Sequence, residues 1–135
     1  MDNTYSIEQT LQVHQAGDLR NADDIYRTLL LDGQNPSVTM NLLGVIAHQF
    51  WKYEAAYNLT SYALLIDPKN AEAHNYLDVV CQNINRLDEA ISSCHKAQEI
   101  APNYTKFHNI FGMMVLKQGK QTRQYSVIAK PFLEK

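Results

Sequence analysis

Five histidines and two cysteines are the residues of this 135-residue chain best suited to metal binding or nucleophilic chemistry, and their spacing points to neither. His14 and His48 stand one 34-residue step apart, as do His74 and His108, which puts partners on different units instead of at ligand spacing within one helix or loop. No His-Glu-x-x-His motif and no Cys-x-x-Cys pair accompanies them, so no metal site is expected. Cys81 and Cys94 read as small core-facing residues of two paired helices. The five glycines form no GxGxxG, phosphate loop or GxSxG elbow, and Gly119-Lys120-Gln121 lacks both the hydroxyl and the upstream glycine of a phosphate loop. The expectation is a protein that is not an enzyme and needs no cofactor.

What remains is amide chemistry. Asn41, Asn75 and Asn109 recur at the full 34-residue step, and an asparagine amide offers two donors and an acceptor to the backbone of an extended peptide. The alternative is that three polar residues merely solvate one helix face. The same step organises the elements that would carry them. Gly17, Trp51, Asn85 and Gly119 follow it, as do Ala22, Ala56 and Ala90, then Leu29, Ala63 and Ala97, then Pro68 and Pro102. Each unit reads as two amphipathic helices and a tight turn, as in Met40 to Gln49 followed by Tyr53 to Leu65. Asp67-Pro68 and Ala101-Pro102 close units, because proline cannot continue a helix and biases its predecessor away from helical geometry. No segment alternates with period two, so the fold class is all-α.

One such unit cannot bury its apolar face alone, and stacked neighbours can. Gly44, Ala47, Ala56 and Ala63 allow close helix approach, with Leu43, Phe50, Leu59 and Leu64 filling the volume around them. Composition agrees with a packed core: 45% of residues are hydrophobic and 19% charged. A net charge of −2 gives no overall basicity for nucleic acid or an anionic membrane, which leaves a protein or peptide as the expected partner. Asp2 stands where a signal peptide needs positive charge, no apolar stretch reaches membrane-spanning length, and the two cysteines form no disulfide framework; a cytoplasmic protein is expected.

This pattern resembles the tetratricopeptide (TPR) repeat family, most clearly from Asn35 to Pro102, where Leu43-Gly44, Ala56, Ala63 and Pro68 are answered by Leu77, Ala90, Ala97 and Pro102. Asp78 departs from it, standing where the family prefers a small residue. The resemblance implies an α-solenoid of antiparallel helix pairs, a TPR superhelix of about three to four repeats. The units are approximately 1–34, 35–68, 69–102 and 103–135, with the first and last degenerate: Gln34 replaces a closing proline, Gln124 an alanine, and Pro131 interrupts the final helix. More narrowly, His14-Gln-Ala-Gly, Leu42-Leu43-Gly44-Val45 and Asn70-Ala-Glu-Ala-His74 are similar to repeat arrays preceding bacterial enzymes of the O-linked N-acetylglucosamine transferase kind.

In the TPR family the first helices of successive units line a concave groove that holds extended peptides. Carried over, that groove comprises Asn41, Val45, His48 and Gln49, then Asn75, Val79, Gln82 and Asn83, then Asn109, Met113 and Lys117, with Lys106 beside them. The basic residues of a carboxylate-binding groove are missing at the first and third units. Trp51 replaces a turn glycine, and with Phe50 and Tyr53 forms an aromatic cluster that either anchors an interface or folds over the neighbouring turn. Residues 1–34 hold two basic and six acidic side chains and residues 103–135 six basic and one acidic, a polarity that would favour head-to-tail self-association. The functional expectation is a protein-interaction module, an adaptor, scaffold or chaperone; the alternatives are a substrate-recruiting module of a larger glycosyltransferase and a self-assembling scaffold.

Overall fold

The computed structural model describes residues 5–102, which form six α-helices and no strand. The helices are α1 (Ile7–Gln15), α2 (Leu19–Leu31), α3 (Pro36–Gln49), α4 (Tyr53–Ile66), α5 (Ala71–Asn83) and α6 (Leu87–Ile100). They pack consecutively as the pairs α1/α2, α3/α4 and α5/α6, with α2 against α3 and α4 against α5 joining one pair to the next. This is the expected α-solenoid of antiparallel helix pairs. Asn109, Met113, Lys117, Lys106 and the whole fourth unit lie outside the described residues.

Local chemistry sets the ends. Ser6 and Gln9 form a reciprocal capping box at α1, Asp18 caps α2 through the Asn21 N–H, and Asn70 caps α5 through the Ala73 N–H. Helix α3 starts four residues before the Met40 expected from periodicity, because Pro36 occupies its first turn, where a missing N–H is harmless and φ is already helical. The three intra-unit turns are copies of one another. Gly17, Trp51 and Asn85 all take positive φ, at 92°, 64° and 63°. The next residue then closes back five positions: Asp18 N–H to Val13 O, Lys52 N–H to Ala47 O and Arg86 N–H to Cys81 O. Trp51 is the one bulky residue of the three, so Trp51→Asn is expected to raise stability by about 0.5–1 kcal/mol in chemical denaturation by relieving left-handed strain.

The core is centred on α3. Leu42, Leu43, Val45 and Ile46 are buried together with Ala22, Tyr26 and Leu29 from α2, Ala56 from α4, and Tyr76 and Val80 from α5. A second cluster joins Leu77, Cys81 and Ala90 to Tyr57 and Leu64 of α4. Phe50, expected to fill core volume, instead caps α3 at the surface at 39% exposure, because the turn begins there. Cys81 is fully buried and Cys94 half-buried; burial, the largest influence, pushes the Cys81 thiol up to about 11, which leaves it inert at neutral pH. Among the described residues no helix is long and apolar enough to cross a membrane.

Candidate interaction site on the first helices

Helices α1, α3 and α5 lead the three described units, and a hydrogen-bonded ladder runs across them. His14 Nε2 lies 2.6 Å from Gln49 Oε1, and His48 Nε2 lies 2.9 Å from Asn83 Nδ2. Both rungs join residues 35 positions apart, so the histidine of one unit meets the amide of the next, one residue beyond the repeat step. The 34-residue period alone pairs His14 with His48. These two rungs need one residue more than the repeat step, an offset that matching identical positions does not show.

The two rungs differ in chemistry. An amide oxygen only accepts, so His14 Nε2 donates to Gln49, and His14 Nδ1 accepts from the Tyr26 hydroxyl at 3.1 Å. At the second rung the donor is the amide: Asn83 Nδ2 gives one hydrogen to Val79 O at 3.0 Å and the other to His48 Nε2. His48 is therefore neutral with its proton on Nδ1, a buried nitrogen with no hydrogen-bond partner among the described residues. Its ring is wedged between Tyr53, with centroids 5.0 Å apart, and Tyr76, at 5.6 Å. Burial lowers the pKa of both histidines, that of His48 to about 4, while the Gln49 bond partly counters burial at His14.

The remaining groove positions fall into two groups. Asn41 is 2% exposed and accepts from the Thr60 hydroxyl across α3/α4, and Val45 is fully buried in the core, so these two pack the solenoid instead of facing outward. On α5, Asn75 and Val79 are half-buried and Gln82 and Asn83 exposed, with the Gln82 amide donating to Asp78 Oδ1 at 2.9 Å. Gln49 is half-buried. Helix α5 thus presents most of the polar surface of the candidate site. Of the aromatic cluster, Phe50 and Trp51 are exposed, at 39% and 60%, whereas Tyr53 turns inward onto His48.

Several polar residues missed by sequence reasoning hold the units in place. Ser37 donates to Ala63 O at 2.8 Å and accepts from Asn70 Nδ2 at 2.9 Å, and His74 Nε2 meets Pro68 O at 2.8 Å, all at the junction of the second and third units. Tyr57 donates to the Glu89 carboxylate across α4/α6, with the Arg86 guanidinium 4.5 Å from its ring centroid. None of these residues shares a repeat register with its partner, so periodicity carried no hint of them. Among the described residues no group of histidine, cysteine and carboxylate side chains is arranged to hold a metal ion.

No protein-family model matches the chain. A 58-residue stretch, 40% of the chain, is 40% identical to a protein of Dictyostelium discoideum named DnaJ homolog subfamily C member 7 homolog, of which it covers 11%. Over 89 residues, 66% of the chain, it is 27% identical to the inactive TPR repeat-containing thioredoxin TTL3 of Arabidopsis thaliana, of which it covers 13%. The chain therefore corresponds to a small part of each relative's length. The second name carries the repeat that the 34-residue period resembles, and neither is that of a sugar-transferring enzyme.

Proposed function

We propose that the chain is a non-catalytic protein-interaction module that holds an extended protein or peptide segment along its first helices. The observation that carries this reading is the amide surface of α5, where Asn75 and Gln82 remain at least partly accessible on a packed scaffold. Amides can pair with both the N–H and the C=O of a ligand backbone, which suits an extended segment recognised largely independently of its side chains. The similarity to a TPR repeat-containing protein supports the same reading.

A displayed library of linear peptides tests it. Peptides enriched on the folded protein are expected to lose about tenfold in affinity, roughly 1.4 kcal/mol, when Asn75 and Gln82 are both replaced by alanine, with an unchanged thermal transition. Equal enrichment on the doubly substituted protein would place the binding surface elsewhere. The second surface worth the same measurement is the adjacent Phe50 and Trp51 pair, since exposed aromatics of this size are frequent interface anchors.

A further inference from the structure

We propose that the His48–Asn83 hydrogen bond is a proton-operated lock between the second and third units, closed when His48 is neutral and opened when it is protonated, and that the His14–Gln49 rung is not. Donors and acceptors decide it, independently of what the module binds. Both hydrogens of Asn83 Nδ2 are committed, one to Val79 O within α5 and one to His48 Nε2 across the unit boundary. Protonating His48 places an N–H where the amide N–H already points, so the rung becomes donor against donor. Rotating the Asn83 amide to offer its oxygen would set that oxygen's neighbour contact, at Val79 O, acceptor against acceptor. Neither arrangement satisfies both residues, and the imidazolium would also be buried at a site 8% exposed.

Nothing around His48 compensates the charge. The groups that face it are phenols, Tyr53 from α4 and Tyr76 from α5, and burial raises the pKa of both, so they stay neutral. Its own helix α3 carries no Asp, Glu, Lys or Arg. Of the helices packed against α3, α2 carries Arg20, Asp23, Asp24 and Arg27, α4 carries Glu54, and α5 carries Glu72 and Asp78. None of these perturbs His48, whose depressed pKa of about 4 has burial as its cause. At the other rung the outcome differs. His14 already donates through Nε2, and a proton added at Nδ1 is met by rotation of the Tyr26 hydroxyl from donor to acceptor, so the inter-unit bond survives.

The sign follows from linkage. With an unfolded value near 6.5 and a folded value near 4, the full stability of the closed lock is present above about pH 6.5 and is lost progressively as pH falls toward 4. At pH 5 the folding equilibrium of the full chain is expected to be roughly thirtyfold weaker than at pH 7.5 from this residue alone. The experiment is chemical denaturation of the full chain from pH 7.5 to 3.5, with the His48 Cε1–H resonance followed in parallel. His48→Gln should remove the His48 share of this pH dependence, since its amide oxygen accepts from Asn83 at any pH, whereas His14→Gln should retain that share and lose only the one that burial of His14 adds. Asn83→Asp should weaken the His48 share: the introduced carboxylate accepts from protonated His48, at the cost of facing Val79 O, and so moves the His48 midpoint upward and lessens the loss of folding at pH 5 relative to wild type. The proposal is overturned if wild type and His48→Gln weaken in parallel on acidification, or if Asn83→Asp leaves the His48 midpoint where it was. It is equally overturned if His14→Gln, and not His48→Gln, abolishes the step. Should His48→Gln fail to fold, the wild-type titration and Asn83→Asp decide the matter.

Discussion

Gly44→Leu is expected to abolish cooperative folding of the chain, and Gly44→Ala to lower its stability by about 1–2 kcal/mol, both read from denaturant unfolding. Gly44 lies inside α3 where that helix crosses α4. A Cβ at this position would meet Thr60 Oγ1 at 2.7 Å, the Ala56 carbonyl oxygen at 3.3 Å and Leu59 Cβ at 3.4 Å. Two of these neighbours belong to or sit close on the α4 backbone, so they cannot rotate away. Alanine is intrinsically the better helix former by about 1 kcal/mol, and overpacking of about 1–3 kcal/mol outweighs that gain. The leucine adds three further carbon atoms to a contact with no room for the first. The cause can be isolated by a double-mutant cycle. Thr60→Ala removes the closest atom, so Gly44→Ala should be nearly neutral in that background, while Thr60→Ala alone should cost about 1–2 kcal/mol by leaving Asn41 Oδ1 without its donor. Strictly additive effects would show that the helix contact relaxes by other means.

Tyr76→Ala should cost about 3–5 kcal/mol, a large share of the stability of a domain of this size, whereas Tyr76→Phe should cost about 1 kcal/mol. Tyr76 is 2% exposed and reaches from α5 into the α3 core, where its hydroxyl donates to Gly44 O at 3.3 Å and its ring packs T-shaped on His48 with centroids 5.6 Å apart. The phenylalanine keeps the ring and loses one long hydrogen bond; the alanine opens a cavity at the junction of the second and third units. Calorimetric or denaturant unfolding of the two variants separates volume from hydroxyl. A phenylalanine variant as damaged as the alanine variant would shift the weight to the buried Gly44 carbonyl.

Much of the fold was legible before any coordinate. The 34-residue step of Gly17, Trp51 and Asn85 marked three turns that the structure closes identically, since a left-handed residue ending a helix is a local backbone requirement that composition announces. The small residues Gly44, Ala56 and Ala63 marked close helix approach for the same reason: only the absence of side-chain atoms permits it. Helix α3 was harder to read. Its apolar residues run nearly all round, so periodicity understated both its length and its burial, and Asn41 and Val45, assigned by register to an open groove, lie in the packing.

The candidate site was legible only in part. Repeat register singled out His48, Gln49 and Asn83, and all three do lie where successive units meet, yet register could not say that they bind one another first. Helical period, turn chemistry and the need of one unit for the next are properties of short stretches of chain, and the sequence by itself determined them. Tertiary structure alone decided which amide faces which imidazole, which tautomer His48 must adopt, and that Thr60, Tyr26 and Tyr76 complete the hydrogen bonds. The physical reason is that each of these contacts depends on how one helix is rotated against another, within a unit for Tyr26 and Thr60; for the two rungs and Tyr76 it is the rotation of one unit against the next. That rotation is set by the summed packing of α2 on α3 and α4 on α5, and no local stretch of sequence encodes it.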